Sequence, residues 1–162
     1  MSAPQRVAGQ VFELASVSPS GPDRRELQEY LPPGQRLGAQ TDMLVLDYLR
    51  DTAQPVGLAK VKLAEIQARR QSGDPVANGE LLGGPDGSAL LDFVLSAVLP
   101  DGREVVEWNA YHYRALGGGV VLTALSRRAY GDDIPAFLGA LGERRLQDRT
   151  ALLEWIPELK SR

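Results

Sequence analysis

Between residues 90 and 130, apolar and polar side chains alternate with a period of two in three successive runs, the pattern of strands half-buried in a sheet. In the first run Leu91, Phe93, Leu95, Ala97 and Leu99 share one side, with Asp92 and Ser96 on the other. Pro100-Asp101-Gly102 then predicts a tight turn, because proline presets its backbone angle and glycine accepts a positive φ. The second run, 104–114, sets Val106, Trp108 and Ala110 against Glu107, Asn109, Tyr111 and Tyr113. Gly117-Gly118-Gly119 closes another turn, and 120–130 follows with Val121, Thr123 and Leu125 opposite Val120, Leu122 and Ala124. That last run begins apolar on both faces, so it belongs in the middle of a sheet covered on each side.

Upstream, 11–17, 25–31 and 43–49 give three more predicted strands, with a loop over 18–23 and the third strand apolar at nearly every position. Gln54-Pro55 opens a helix whose stripe is Val56, Ala59, Leu63 and Ile66, and Gly73-Asp74-Pro75 ends it. The glycine-rich 78–87 fits either a mobile loop or a short strand with a turn. Asp132-Asp133 and Pro135 start a second helix, with carboxylates placed to receive free amides. Ile134, Phe137, Leu138 and Leu141 form its expected buried face, and it continues past Leu152, Leu153, Trp155 and Ile156 to Pro157. The expected fold class is therefore α+β: a mostly antiparallel six-stranded sheet with helices packed on it, in the order βββα-βββα. One domain over 11–157 would follow a flexible leader, 1–10, and precede a tail, 158–162.

Composition narrows the function more than it names it. The 162 residues suffice for one core, and 18 basic against 21 acidic side chains give a net charge of −3. Nucleic-acid binders carry a basic excess, so no nucleic-acid partner is expected. The absence of cysteine removes disulfides, thiolate metal sites and cysteine nucleophiles. No apolar run approaches the roughly 20 residues of a membrane span.

Candidate chemistry is sparse. His112 is the single histidine and shares its strand face with Trp108 and Ala110. It is a general base only if a carboxylate or nucleophile lies within reach, and otherwise a packed core residue. Glu107, Asn109, Tyr111 and Arg127 form the best polar group for a ligand, on neighbouring strands, although a Glu107–Arg127 ion pair across the strands explains part of it without any ligand. The triple glycine leads into a strand and lacks the Lys-Ser/Thr of a phosphate loop, and the 79–87 segment fails the same test. The spacing of Asp86, Asp92 and Asp101 is not that of a calcium loop. No cofactor and no metal site are expected.

Tyr30-Leu31-Pro32-Pro33-Gly34-Gln35 followed by Thr41-Asp42-Met43-Leu44-Val45, with residues 107–113 and 127–131 as central strands, resembles the PsbP/Mog-like α/β/α sandwich group across residues 11–156. The resemblance implies a non-enzymatic binding or accessory role in an exported, periplasmic bacterial protein, with a cytoplasmic location as the alternative. It implies a protein partner, which includes a second copy of the chain. Two other classes stand beside it: a small-molecule carrier using Glu107, Asn109 and Tyr111, and an enzyme using His112 with a carboxylate.

Overall fold

The computed structural model describes residues 3–18, 25–50 and 54–157. Its elements run β1 (Gln5–Val7), β2 (Gln10–Ser18), β3 (Arg25–Leu31), β4 (Asp42–Arg50), α1 (Pro55–Gln71), β5 (Asn78–Gly83), β6 (Ala89–Val98), β7 (Glu104–Leu116), β8 (Gly119–Tyr130) and α2 (Ile134–Glu154). The strands form one antiparallel sheet in the order β1-β2-β3-β4-β8-β7-β6-β5. The expectation of six strands in a βββα-βββα order is thus corrected: eight strands lie among the described residues, and four precede each helix. Each group of four is a meander, and the two meanders join through β4 and β8, the last strand of each.

Both additional strands sit at sheet edges, where a strand needs only one partner and leaves a weak pattern. β1 falls within the stretch read as leader. It is three residues long and folds back on β2 through Ala8-Gly9, with φ of 53° and 72° and Val7 facing Gln10. Two successive positive φ values are those of a type I′ hairpin, usually announced by Asn-Gly or Asp-Gly; Ala-Gly hides the signal. β5 is the strand alternative of the glycine-rich segment. The expected loop at 18–23 lies, apart from Ser18, outside the described residues, as does the tail from 158.

The sheet is covered on both sides, as the two apolar faces of β8 require. On one face α1 buries Ala59 and Ile66 against Leu91, Phe93, Tyr113, Val120 and Leu122. On the other, α2 lays Leu141, Leu152 and Trp155 over Phe12, Tyr30, Leu44, Trp108, Val121 and Leu125. Trp108 is fully buried at the centre of that second face. Both helices carry proline in their first turn, and neither has a side-chain N-cap; Asp132 and Asp133 instead lie in a 3₁₀ turn, Gly131–Asp133, without capping an amide. Leu138, expected to be buried, faces solvent at 41% exposure because the helix meets the sheet through Leu141.

Candidate functional site

The α2 side of the sheet is unusual for the charge buried in it. Arg127 on β8, only 3% exposed, is gripped by Asp148 from α2 through two hydrogen bonds of 3.0 and 3.1 Å. It also donates to Asp42 Oδ1 at 2.7 Å and Gln10 Oε1 at 2.6 Å. Burial pushes the Asp42 carboxyl up, but the Arg127 guanidinium and the hydrogen bonds from Thr41 and Gln10 together outweigh it and hold the carboxyl below its ordinary value. A second anchor lies on β6, where buried Asp92 accepts the Trp108 indole N–H at 2.8 Å. Its other oxygen faces Arg145 at 3.2 Å and Arg149 at 3.3 Å, both on α2, and these arginines also approach Glu80 on β5. The helix is therefore fixed by two ionic clamps as well as by its leucines.

These positions divide the residues singled out from sequence. Glu107, Asn109 and Tyr111 point to the α1 face, whereas Arg127 and His112 point to the α2 face. The expected Glu107–Arg127 pair does not form. Glu107 stands opposite Arg128 and bonds to its Nε, because a one-residue step along a strand reverses the face. Tyr111 packs edge-on against Phe93 at 4.9 Å, with the Lys62 ammonium 5.8 Å from both rings. Asn109 is buried between those layers with Nδ2 unpartnered. Arg127 and His112 share a face but stand opposite Trp108 and Thr123, four positions apart along β8, or about 13 Å. The five residues do not make one site.

His112 belongs to a different arrangement. A cleft of about 310 Å³ opens between the C-terminal half of α2 and the β5–β6–β7 side of the sheet. Leu82, Leu90, Leu146 and Leu153 give it apolar walls, Gly83, Gly84 and Ser88 form the turn at one end, and Arg149 and Thr150 lie on the helix side. His112 lines the cleft at 7% exposure, and its Nδ1 has no hydrogen-bond partner. Thr123, directly opposite it on β8, is fully buried and its hydroxyl is likewise unpartnered. Burial, followed by the Arg114 charge, lowers the His112 pKa below 6.5, and Asp86 opposes the shift without cancelling it. The imidazole is neutral at pH 7.

A model of a protein family with no assigned activity matches residues 2–155. The chain belongs to that family. No curated protein matches the chain. The family supplies no role for any residue, so the chemistry must be read from the cleft itself. Of the two hydroxyls in its lining, Ser88 donates to Asp86 Oδ1 at 2.5 Å and so directs its proton to a carboxylate, and Thr150 donates to the Leu146 carbonyl at 3.1 Å. A seryl nucleophile needs that proton handed to a base such as an imidazole. No group of three or more His, Asp or Glu side chains suited to a metal occurs among the described residues. What the cleft offers is leucine surface with the polar side chains of Ser88, His112, Arg149 and Thr150 in its lining, a combination suited to holding a ligand.

Sequence reasoning found His112 but missed its surroundings, and it missed both clamps. One signal was available: Asp92 interrupts an apolar strand in a sheet covered on both faces, so it requires a buried cation. Arg145 and Arg149, one helical turn apart, are placed to supply it. The cleft walls carry no such signal, since Leu146 and Leu153 look like any other leucines of an amphipathic helix.

Proposed function

We propose that the protein is a non-enzymatic binding protein that holds a small molecule in the cleft beneath α2. One observation carries this reading: a cleft of about 310 Å³, walled by Leu82, Leu90, Leu146 and Leu153, opens beside the buried imidazole of His112. The volume lies at the small end of the roughly 300–1,000 Å³ typical of ligand pockets. The carrier reading is thereby moved from Glu107, Asn109 and Tyr111, which face the other helix, to His112 and its leucine walls.

A fragment screen by NMR tests the proposal. Binding fragments are expected to shift the amides of Leu82, Ser88, Leu90 and Leu153 together, and to lose that effect when Leu90→Trp fills the cleft. Hits scattered over the surface, or unaltered by the substitution, would remove the cleft from consideration. A protein partner is the second reading, favoured by the exposure of Leu146, Leu153 and Ile156 toward one end of α2, at 53%, 47% and 77%. Export to the periplasm belongs to the proposed PsbP/Mog-like relationship and is tested by cell fractionation.

A further inference from the structure

We propose that two copies of the chain pair through β5, antiparallel and centred on Leu81, so that their sheets join into one. The two edges of the sheet differ in how they are protected. A strand edge carries unpaired N–H and C=O groups, and folded proteins usually blunt it with a very short strand, lysine, proline or a bulge. At one edge β1 is three residues long, and β2 behind it carries a bulge between Leu14 and Ser16. β5 has none of these devices: its six residues pair with β6 in unbroken register and include neither lysine nor proline. Its single charge, Glu80, is turned to the α2 face, where Arg145 and Arg149 lie 4.0 and 3.6 Å away. Beside this edge Leu82 lines the cleft together with Leu146 and Leu153, which are 53% and 47% exposed, so the open edge is continuous with apolar surface.

The backbone selects the partner. Gly84 donates its N–H to the Ser88 carbonyl at 2.8 Å, so residue 84 is turned toward β6. Antiparallel pairing reverses that direction at each residue. Leu82, Glu80 and Asn78 therefore also address β6, while Gly79, Leu81 and Gly83 present their N–H and C=O groups outward. Among the described residues no backbone hydrogen bond reaches these outward groups. A second β5, related by a two-fold axis through Leu81, meets all three: Leu81 faces the partner's Leu81, Gly79 faces the partner's Gly83, and Gly83 faces the partner's Gly79. Sliding by two residues one way sets Gly79 against the partner's Pro85, which has no N–H. Sliding the other way sets Glu80 against the partner's Glu80, a like-charge pair. A one-residue slip opposes outward groups to residues already bonded to β6. Glycine opposite glycine leaves no side chains to hold the strands apart on the α1 face. These matches come from β5 itself, so the occupant is a second copy. On the α2 face the pairing places the partner's Glu80 opposite Leu82, and each copy adds a carboxylate to the rim of the other's cleft.

Sedimentation velocity of the whole protein over a concentration series is expected to show a monomer–dimer equilibrium. Gly83→Pro removes one outward N–H from each copy and leaves the β5–β6 ladder intact, so it should weaken the dimer about tenfold or more. The register is read by cross-linking, because the chain has no cysteine of its own. Leu81→Cys should give a disulfide-linked dimer on mild oxidation, since directly paired residues stand about 5.5 Å apart at Cα, within disulfide range. Gly83→Cys should not, because its two copies lie four positions apart, or about 13 Å. The cysteine variants report on the pairing even if the proline variant does not fold. A protein that stays monomeric at roughly 100 μM would leave the edge to an unrelated strand and overturn the inference. So would a dimer indifferent to a folded Gly83→Pro, or one that cross-links through Gly83→Cys in place of Leu81→Cys.

Discussion

The two faces of the sheet are built on different principles. Under α1, Ala59 and Ile66 meet Leu91, Phe93, Tyr113, Val120 and Leu122, the sheet adds buried Asp47, Asn109 and Ser126, and Asp74 just beyond the helix pairs with Arg69. Under α2, apolar packing around Trp108 alternates with buried charge, from Arg127 and Asp148 at one place to Asp92 with Arg145 and Arg149 at another. Apolar surfaces are non-directional and tolerate small shifts, so they define contact better than register. Directed ion pairs fix where a helix lies. α2 is held at two polar points, and beside the second it stands off enough to leave the cleft over His112. The second clamp and the cleft share Arg149.

The difference can be broken most severely at the first clamp. Asp148→Leu removes the bidentate partner of a guanidinium that is 3% exposed and is expected to cost about 3–5 kcal/mol in urea denaturation. Pairing it with Arg127→Met should restore only part of that loss, because it removes the stranded guanidinium but leaves Asp42 and Gln10 without their partner. A loss no larger than about 1 kcal/mol, the range of an exposed pair, would show that the clamp is not the buried device described.

The next effect is of opposite sign. His112→Phe keeps the ring and removes the orphaned nitrogen, so in the absence of ligand it should stabilise the fold by up to roughly 1–3 kcal/mol. Destabilisation by a comparable amount would mean that the imidazole is satisfied in solution. On the α1 face, Ile66→Val should cost about 0.5–1.5 kcal/mol and leave the pH dependence of stability unchanged, because it touches packing alone.

The smallest effect is a slope. His112 has a folded pKa lowered below 6.5, so above that pH it is neutral in both states and contributes no pH dependence. As the pH falls below 6.5 the unfolded chain binds the proton first, and stability declines until the pH passes the folded pKa. Asp42 and Asp74 have carboxyls held below 3.8, and their stabilising contributions persist until more acidic conditions. Between pH 6.5 and about 4.5 the slope of wild type over that of His112→Phe therefore isolates the imidazole. Equal slopes would contradict its burial in neutral form.

Much of this arrangement was legible in residue order. Strands β3, β6, β7 and β8, both helices and the double coverage of β8 follow from period-two and helical patterns that tertiary structure did not override. β1 was hidden because three residues carry no period, and β5 because glycine supplies no side chain to alternate. The polar group was assigned to its faces along β7, yet Arg127 was paired with the wrong partner, since pairing depends on the register between strands. The cleft was illegible for a different reason. It arises from where α2 stops covering the sheet, a property of the angle between two elements that neither segment encodes alone.

The most direct test of the cleft as a ligand site is the imidazole spectrum itself. His112 is the only histidine, so its ring nitrogens can be observed by long-range ¹H–¹⁵N NMR with no assignment ambiguity. The account predicts a neutral ring at pH 7 whose resonances move together with the cleft amides when a fragment that binds the cleft is added. A protonated ring at pH 7, or an imidazole spectrum indifferent to the fragment while distant amides shift, would contradict it.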